Sequence, residues 1–249
     1  DESNMDSTTL LGAHLTSDSQ SDSSGKDTKT RLARFQQHFY TMFLSYHFND
    51  FEKAKRMIKL FPTDIWIAGV SFSVPFRVFY SGLVYAALCR TKSHKRLKYR
   101  RRAKAAYNQM VTWCNKGAVN CQYMRHILEA ELLASSTGRK EDAAAVLMLY
   151  DKGIEEAKKI QVLHHIALAN ELAGNFAKTR GGKFICEART YLTEASNYYE
   201  QWGATTKVRH LRKSHEDTGI PIVCKTTEQP QSSLSLRSEK PSYGTKLQL

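Results

Sequence analysis

The chain is short of the residues that break helices: 13 glycines and 5 prolines among 249 residues, most of them outside the periodic stretches. A strand-and-turn architecture needs Gly and Pro at close intervals, so this scarcity argues against a many-stranded sheet and favours long helices. Cysteine is sparse too. The five (Cys89, Cys114, Cys121, Cys186 and Cys224) are odd in number and form no C-x-x-C pair. That excludes a disulfide framework or a cysteine-based zinc site, and it points to reduced, mostly buried thiols of the cytoplasm or nucleus. The amino-terminal stretch lacks a basic region followed by an apolar one, so no secretory signal is read there. The most apolar run, Ile65 to Cys89, is interrupted by Gly69, Pro75, Arg77 and Gly82. A central arginine costs about 2.5–3.5 kcal/mol on insertion scales, so a core turn and a buried helix are expected there, not a membrane span.

Signatures of catalysis are missing as well. A phosphate-binding loop needs G-x4-G-K-[ST], because backbone amides cradle the phosphates and the hydroxyl meets magnesium. Gly181-Gly182-Lys183 lacks the first glycine and is followed by Phe184. His126, His164, His165 and His210 have no Gly-rich ATP lid to serve and read as helix-cap or surface histidines. The pairs His164/His165 and His210/His215 lack cysteine or carboxylate partners at zinc-ligand spacing. No G-x-S-x-G elbow and no paired catalytic carboxylates are found. The expectation is a chain that is not itself an enzyme, with no catalytic residues, cofactor or metal.

What is present is helical periodicity. Hydrophobic residues make up 41% of the chain and aromatic residues 10%, enough for a core. Leu32, Phe35, Phe39, Phe43 and Tyr46 recur at three- and four-residue intervals, and Phe51, Ala54, Met57 and Ile58 resume the period after Asn49-Asp50. Further helical runs are marked by Phe76 to Leu88, Ala103 to Trp113, Met124 to Leu132, Ala143 to Ala157, Ile166 to Phe176 and Ile185 to Tyr198. A last short helix is predicted from about Thr205 to Lys213. Tyr198, Tyr199 and Trp202 sit at helical spacing and read as core, not as a base-stacking surface. Residues 1–28 are Ser-rich, with six acids against one lysine, and read as a disordered lead-in. Residues 215–249, with Pro221, Pro230 and Pro241 among Ser, Thr and Gln, read as a disordered linker or tail. The helical domain is placed at 29–214.

The helices pair, and the pairs repeat. Glu131 and Glu171 occupy equivalent places ahead of a Gly-containing turn, and Tyr107, Tyr150 and Tyr191 follow at intervals of 43 and 41 residues. A two-helix unit near 40 residues is the mark of stacked repeats, because one pair cannot bury its apolar face alone. The expected fold is all-α: an α-solenoid of about four tetratricopeptide-like helix pairs with a short C-terminal capping helix. Glu131 and Glu171 are read as polar residues that structure the pair.

The segments ALANELAGNF (167–176) and EARTYLTEASNYYEQWGATTKVRHL (187–211) carry a resemblance. With HFYTMFLSYHFNDFEKAKRMIK (38–59) and VPFRVFYSGLVYAAL (74–88), they resemble the helical-repeat region of large multidomain signalling proteins. In that family a protein-kinase-like domain and an AAA-type ATPase precede the repeats, and GAF sensors with a histidine kinase or nucleotide cyclase commonly follow. The similarity spans roughly residues 30 to 215 and is most specific at YL-x-EA-x3-Y-x2-WGA-x2-KV. It implies a place downstream of an ATPase, as a non-catalytic module for protein–protein interaction and signal coupling within a longer kinase or ATPase. It lends this segment no active site.

One stretch departs from the family pattern. From Lys92 to Lys104 there are eight Lys or Arg and no acid, within a chain of net charge +13. Lys95, Arg96, Lys98, Arg100, Arg101, Arg102 and Lys104 fall in a loop and the first turns of a helix, where cations oppose the helix macrodipole. Local helix stability does not account for them. They are read as a solvated face, as a patch for an acidic protein segment, or as a basic scaffold for nucleic acid or anionic membrane, the last being the alternative function.

Overall fold

The computed structural model describes residues 15–61, 73–91, 93–136 and 143–216. Among these residues the chain is all-helical, with nine α-helices and no strand. They are α1 (Leu15–His47), α2 (Phe51–Leu60), α3 (Ser73–Thr91), α4 (Arg96–Asn115), α5 (Gln122–Ser136), α6 (Ala143–Lys159), α7 (Leu163–Arg180), α8 (Ile185–Gln201) and α9 (Thr205–Glu216). Short 3-10 turns lead into α4, α5 and α8.

Local sequence sets the boundaries. Asn49 takes a left-handed φ of 63°, and the Asp50 carboxylate then accepts the Lys53 amide at 3.0 Å, capping α2. Pro75 falls in the first turn of α3, where a helix needs no amide donor. α4 ends as Gly117 takes a φ of 91°, and α8 ends as Gly203 takes 82°. These left-handed residues let amides beyond the helix reach back to orphan carbonyls: Ala118 to Trp113 and Ala204 to Tyr199. The Gly-containing turn expected after Glu131 lies outside the described residues.

Helices pack chiefly on their sequence neighbours: α1 on α2, α3 on α4, α5 on α6, α7 on α8, and α9 back onto α8. Contacts of α4 with α5, α6 with α7, and α3 with both α1 and α5 join the pairs. Met42, Phe79, Leu83, Met110, Ile127, Leu128 and Leu192 are all fully buried in one continuous core. Two glycines mark where helices come closest. A Cβ at Gly174 of α7 would stand 2.7 Å from Leu192 Cγ of α8, and one at Gly82 of α3 would stand 3.0 Å from the Ala106 Cβ of α4.

Two expected boundaries move. Helix α1 begins at Leu15, so the backbone of 15–28, read as a disordered lead-in, is helical. Ser, Asp and Thr cost only a few tenths of a kcal/mol each in a helix, and the helix is anchored downstream by buried Phe35, Phe39 and Met42. Residues 1–14 lie outside the described residues. At the other end α9 runs to Glu216, and His215, assigned to the tail, is buried. Residues 217–249 also lie outside the description.

Candidate functional site

Charge and polarity gather in two places: a seam inside the bundle and the outer face of α4. In the seam, Glu131 of α5 accepts Tyr150 Oη of α6 on Oε1 and Arg90 Nη1 of α3 on Oε2, both at 2.5 Å. Glu171 of α7 repeats the arrangement. Its Oε2 accepts Tyr199 Oη of α8 and its Oε1 accepts Lys207 Nζ of α9, both at 2.7 Å. Each unit has a carboxylate on the first helix of a pair, a tyrosine on the second, and a cation from a helix outside the pair, α3 in one case and α9 in the other. Lys207 also donates to the backbone carbonyl of His47 at 2.6 Å, tying α9 to α1. Lys207 and Glu171 are both buried. Removing one partner of such a buried pair leaves an uncompensated charge, at a cost of about 3–5 kcal/mol.

The seam continues as a chain of neutral groups whose polarity can be derived. Tyr199 gives its only proton to the Glu171 carboxylate, so its oxygen must accept from His47 Nδ1, 3.4 Å away. With its proton on Nδ1, neutral His47 accepts at Nε2 from Tyr80 Oη at 3.2 Å. Tyr80 is then left to accept from His165 Nε2 at 3.1 Å. His165 Nδ1, now a lone pair, accepts Tyr123 Oη at 2.7 Å. Every proton from Tyr123 to Tyr199 therefore points toward Glu171, and each ring nitrogen has one role. The path crosses α5, α7, α3, α1 and α8 before returning to α7.

Burial explains why both imidazoles stay neutral. Desolvation holds His47 well below the ordinary histidine range, with Lys207 and His164 adding to the effect. Desolvation does the same at His165, reinforced by His164 and His47. Burial likewise pushes the Tyr80 and Tyr199 hydroxyls well above the phenol range, so both remain donors. A cavity of 210 Å³ adjoins the seam, lined by Arg90, Glu131, Glu171, Asn175, Arg180 and Lys207 among others.

The seven cations named in the sequence stand on or just ahead of α4, all exposed, and the helix divides them. Arg96 donates to the Ser135 carbonyl of α5 at 2.5 Å. Arg102 donates to Tyr85 Oη of α3 at 2.7 Å and lies over its ring. These two fasten α4 to its neighbours. Lys104 sits 4.3 Å from the centre of the Tyr107 ring. Arg100, Arg101 and Lys104 share one side of the helix with Leu97 and Asn108, and together they border a groove of 660 Å³. Its floor is Leu132 and Leu133 of α5 with Leu149 of α6. Lys95 and Lys98 lie outside it. Among the described residues no group of three or more His, Cys, Asp or Glu is placed to hold a metal ion, and no helix is long and apolar enough to cross a membrane.

No family model, curated protein or solved structure matches the chain.

Several sequence readings change. His165, taken as a cap or surface histidine, is fully buried at the centre of the hydrogen-bonded chain. His47, Tyr80 and Tyr123 were not singled out as polar partners, although Tyr80 was placed in the core. Tyr191, expected to match Tyr150, instead donates to Asp151 of α6 at 2.7 Å, and Tyr199 takes the place beside the glutamate. Tyr199 is core, as expected, whereas Trp202 is 42% exposed. Cys89 and Cys121 are buried, Cys114 is half-buried, Cys186 is exposed, and Cys224 lies outside the described residues.

Proposed function

We propose that this chain is a non-catalytic helical-repeat module that binds other protein segments and couples the helices at its two ends. In this reading the helices form an α-solenoid of four tetratricopeptide-like pairs, α1–α2 to α7–α8, capped by α9. The module belongs to a longer signalling protein of the kinase and ATPase type that residues 167–176 and 187–211 resemble. One observation carries it: Lys207 of α9 reaches both Glu171 of α7 and the His47 carbonyl of α1. The first and last described helices are thereby held by one buried charge. A displacement of α1 has to be matched at α9 or leave that ammonium without partners, which is the requirement for passing a rearrangement through a repeat stack.

The recurring Glu–Tyr–cation unit supports the same reading. It consumes the buried carboxylates in joining pairs, leaving them with structural partners where general acid–base chemistry would need a free one. Amide hydrogen exchange tests the coupling. In Lys207→Met, protection is expected to fall together at the C-terminal turns of α1 and throughout α9. Loosening of α9 alone, with α1 unchanged, contradicts it.

A further inference from the structure

The groove along α4 has a composition that neither helix packing nor solvation explains. Leu97 stands 71% exposed in the middle of a cationic run, and Met148 beside Leu149 is 53% exposed. Leu132, Leu133 and Leu149 are only half-buried on the groove floor. Above this apolar floor Arg100 and Arg101 form no ion pair among the described residues, and Lys104 is held against Tyr107. Glu129, the one acid among the described residues that line the groove, sits near the Tyr107 hydroxyl. Cations along one edge of an apolar trough are unlike a simple solvated face, where leucines would be turned inward.

We propose that this groove docks an amphipathic acidic helix of a partner protein. The apolar face of that helix would lie on Leu97, Leu132, Leu133 and Leu149, with its carboxylates against Arg100, Arg101 and Lys104. The dimensions fit. From Leu97 to Asn108 the groove follows α4 for about 16 Å, the length of a three-turn helix. Helix-in-groove recognition uses apolar anchors at i, i+3 or i+4, and i+7, with charges flanking them to set direction. Duplex nucleic acid would use the cations but has no apolar face to lay on the leucines. A membrane would need those leucines to insert among lipids, whereas Leu132, Leu133 and Leu149 are half-buried between helices. Both would also draw equally on Lys95 and Lys98, which lie outside the groove.

The proposal rests on the interaction-module reading and names its partner class. Fluorescence anisotropy on the full chain tests it with three labelled helical peptides of about 14 residues, long enough for the three turns. One carries leucine anchors flanked by glutamates; the second has the glutamates but serines for leucines; the third has the leucines but lysines for glutamates. Only the first is expected to bind, with an affinity that falls with salt. Arg100→Glu with Arg101→Glu should weaken it about tenfold or more, and Leu97→Ser about fivefold. All three positions are exposed, so the variants should keep the wild-type melting curve. Equal binding of the serine peptide, or tighter binding of a short DNA duplex or of phosphatidylserine vesicles, overturns the proposal in favour of a plain anion-binding face. No binding of the first peptide also overturns it. Coupled exchange in Lys207→Met would still hold in that event, so the two readings fail separately.

Discussion

The buried seam and the face of α4 use the same chemical types in opposite ways. In the seam each charge has an opposite partner within 2.7 Å, and even the neutral hydroxyls and imidazoles have assigned donors and acceptors. On α4, Arg96 and Arg102 are tied down, while Arg100 and Arg101 stand over leucines and form no ion pair among the described residues. Burial accounts for the contrast. A charge withdrawn from water has to be paired, whereas one left in water is free of that demand and available to a second molecule. The seam holds the helices together; the α4 face leaves its cations to solvent, which is what the proposed docking would use.

The largest effect that would break this comparison is at Glu171. Glu171→Ala strands Lys207 and removes the acceptor on which the proton chain ends, so a loss of about 3–5 kcal/mol is expected. For a domain of this size that lowers Tm by about 10 °C, read by thermal denaturation at neutral pH. A loss below about 1 kcal/mol would mean that the seam is not what ties the pairs.

Next in size is the response to acid. His47 and His165 are held neutral in the folded chain, but in the unfolded chain they protonate below about pH 6.5. The stability present above that pH is therefore lost as pH falls, at up to about 1.4 kcal/mol per pH unit for each histidine. The groups facing them, His164 and Lys207, oppose a second positive charge. Burial also holds His164 and His215 down at about 4, so they add to the slope. Urea titrations between pH 7 and pH 5 should show the midpoint falling, and His165→Gln should flatten the slope by about a quarter.

A smaller loss, about 1–3 kcal/mol, is expected for Gly174→Ala. The new methyl would meet Leu192 Cγ at 2.7 Å and the Ala188 carbonyl at 3.2 Å, and neither is the free end of a flexible side chain. Smallest is the outer face. Arg100→Glu and Arg101→Glu should each change stability by less than about 0.5 kcal/mol, the counterpart of the loss at Glu171.

Much of this was open to a sequence reader, but unevenly. Helical periods placed the core positions because Phe79, Leu83, Ile127 and Leu192 follow a local rule. The recurrence of Glu131 and Glu171 was visible. Their partners were not, because the tyrosine stands 19 residues after one glutamate and 28 after the other. The cation comes from before the first and after the second. His165 was misread because a buried histidine looks like an exposed one until its partners are known, and Tyr123 and Tyr80 lie 42 and 85 residues away. The basic run was plain, yet its apolar floor was hidden, since Leu132 fits a core period as well as a groove.

The polarity of the buried chain tests this account most directly. Long-range nitrogen–proton correlation spectra at pH 7 report which ring nitrogen of each histidine carries the proton. Burial keeps both rings neutral, and the hydrogen-bond partners then place the proton of His165 on Nε2 and that of His47 on Nδ1. An imidazolium at either position, or the opposite tautomer at either one, would break the chain between Tyr123 and Glu171 and contradict the account.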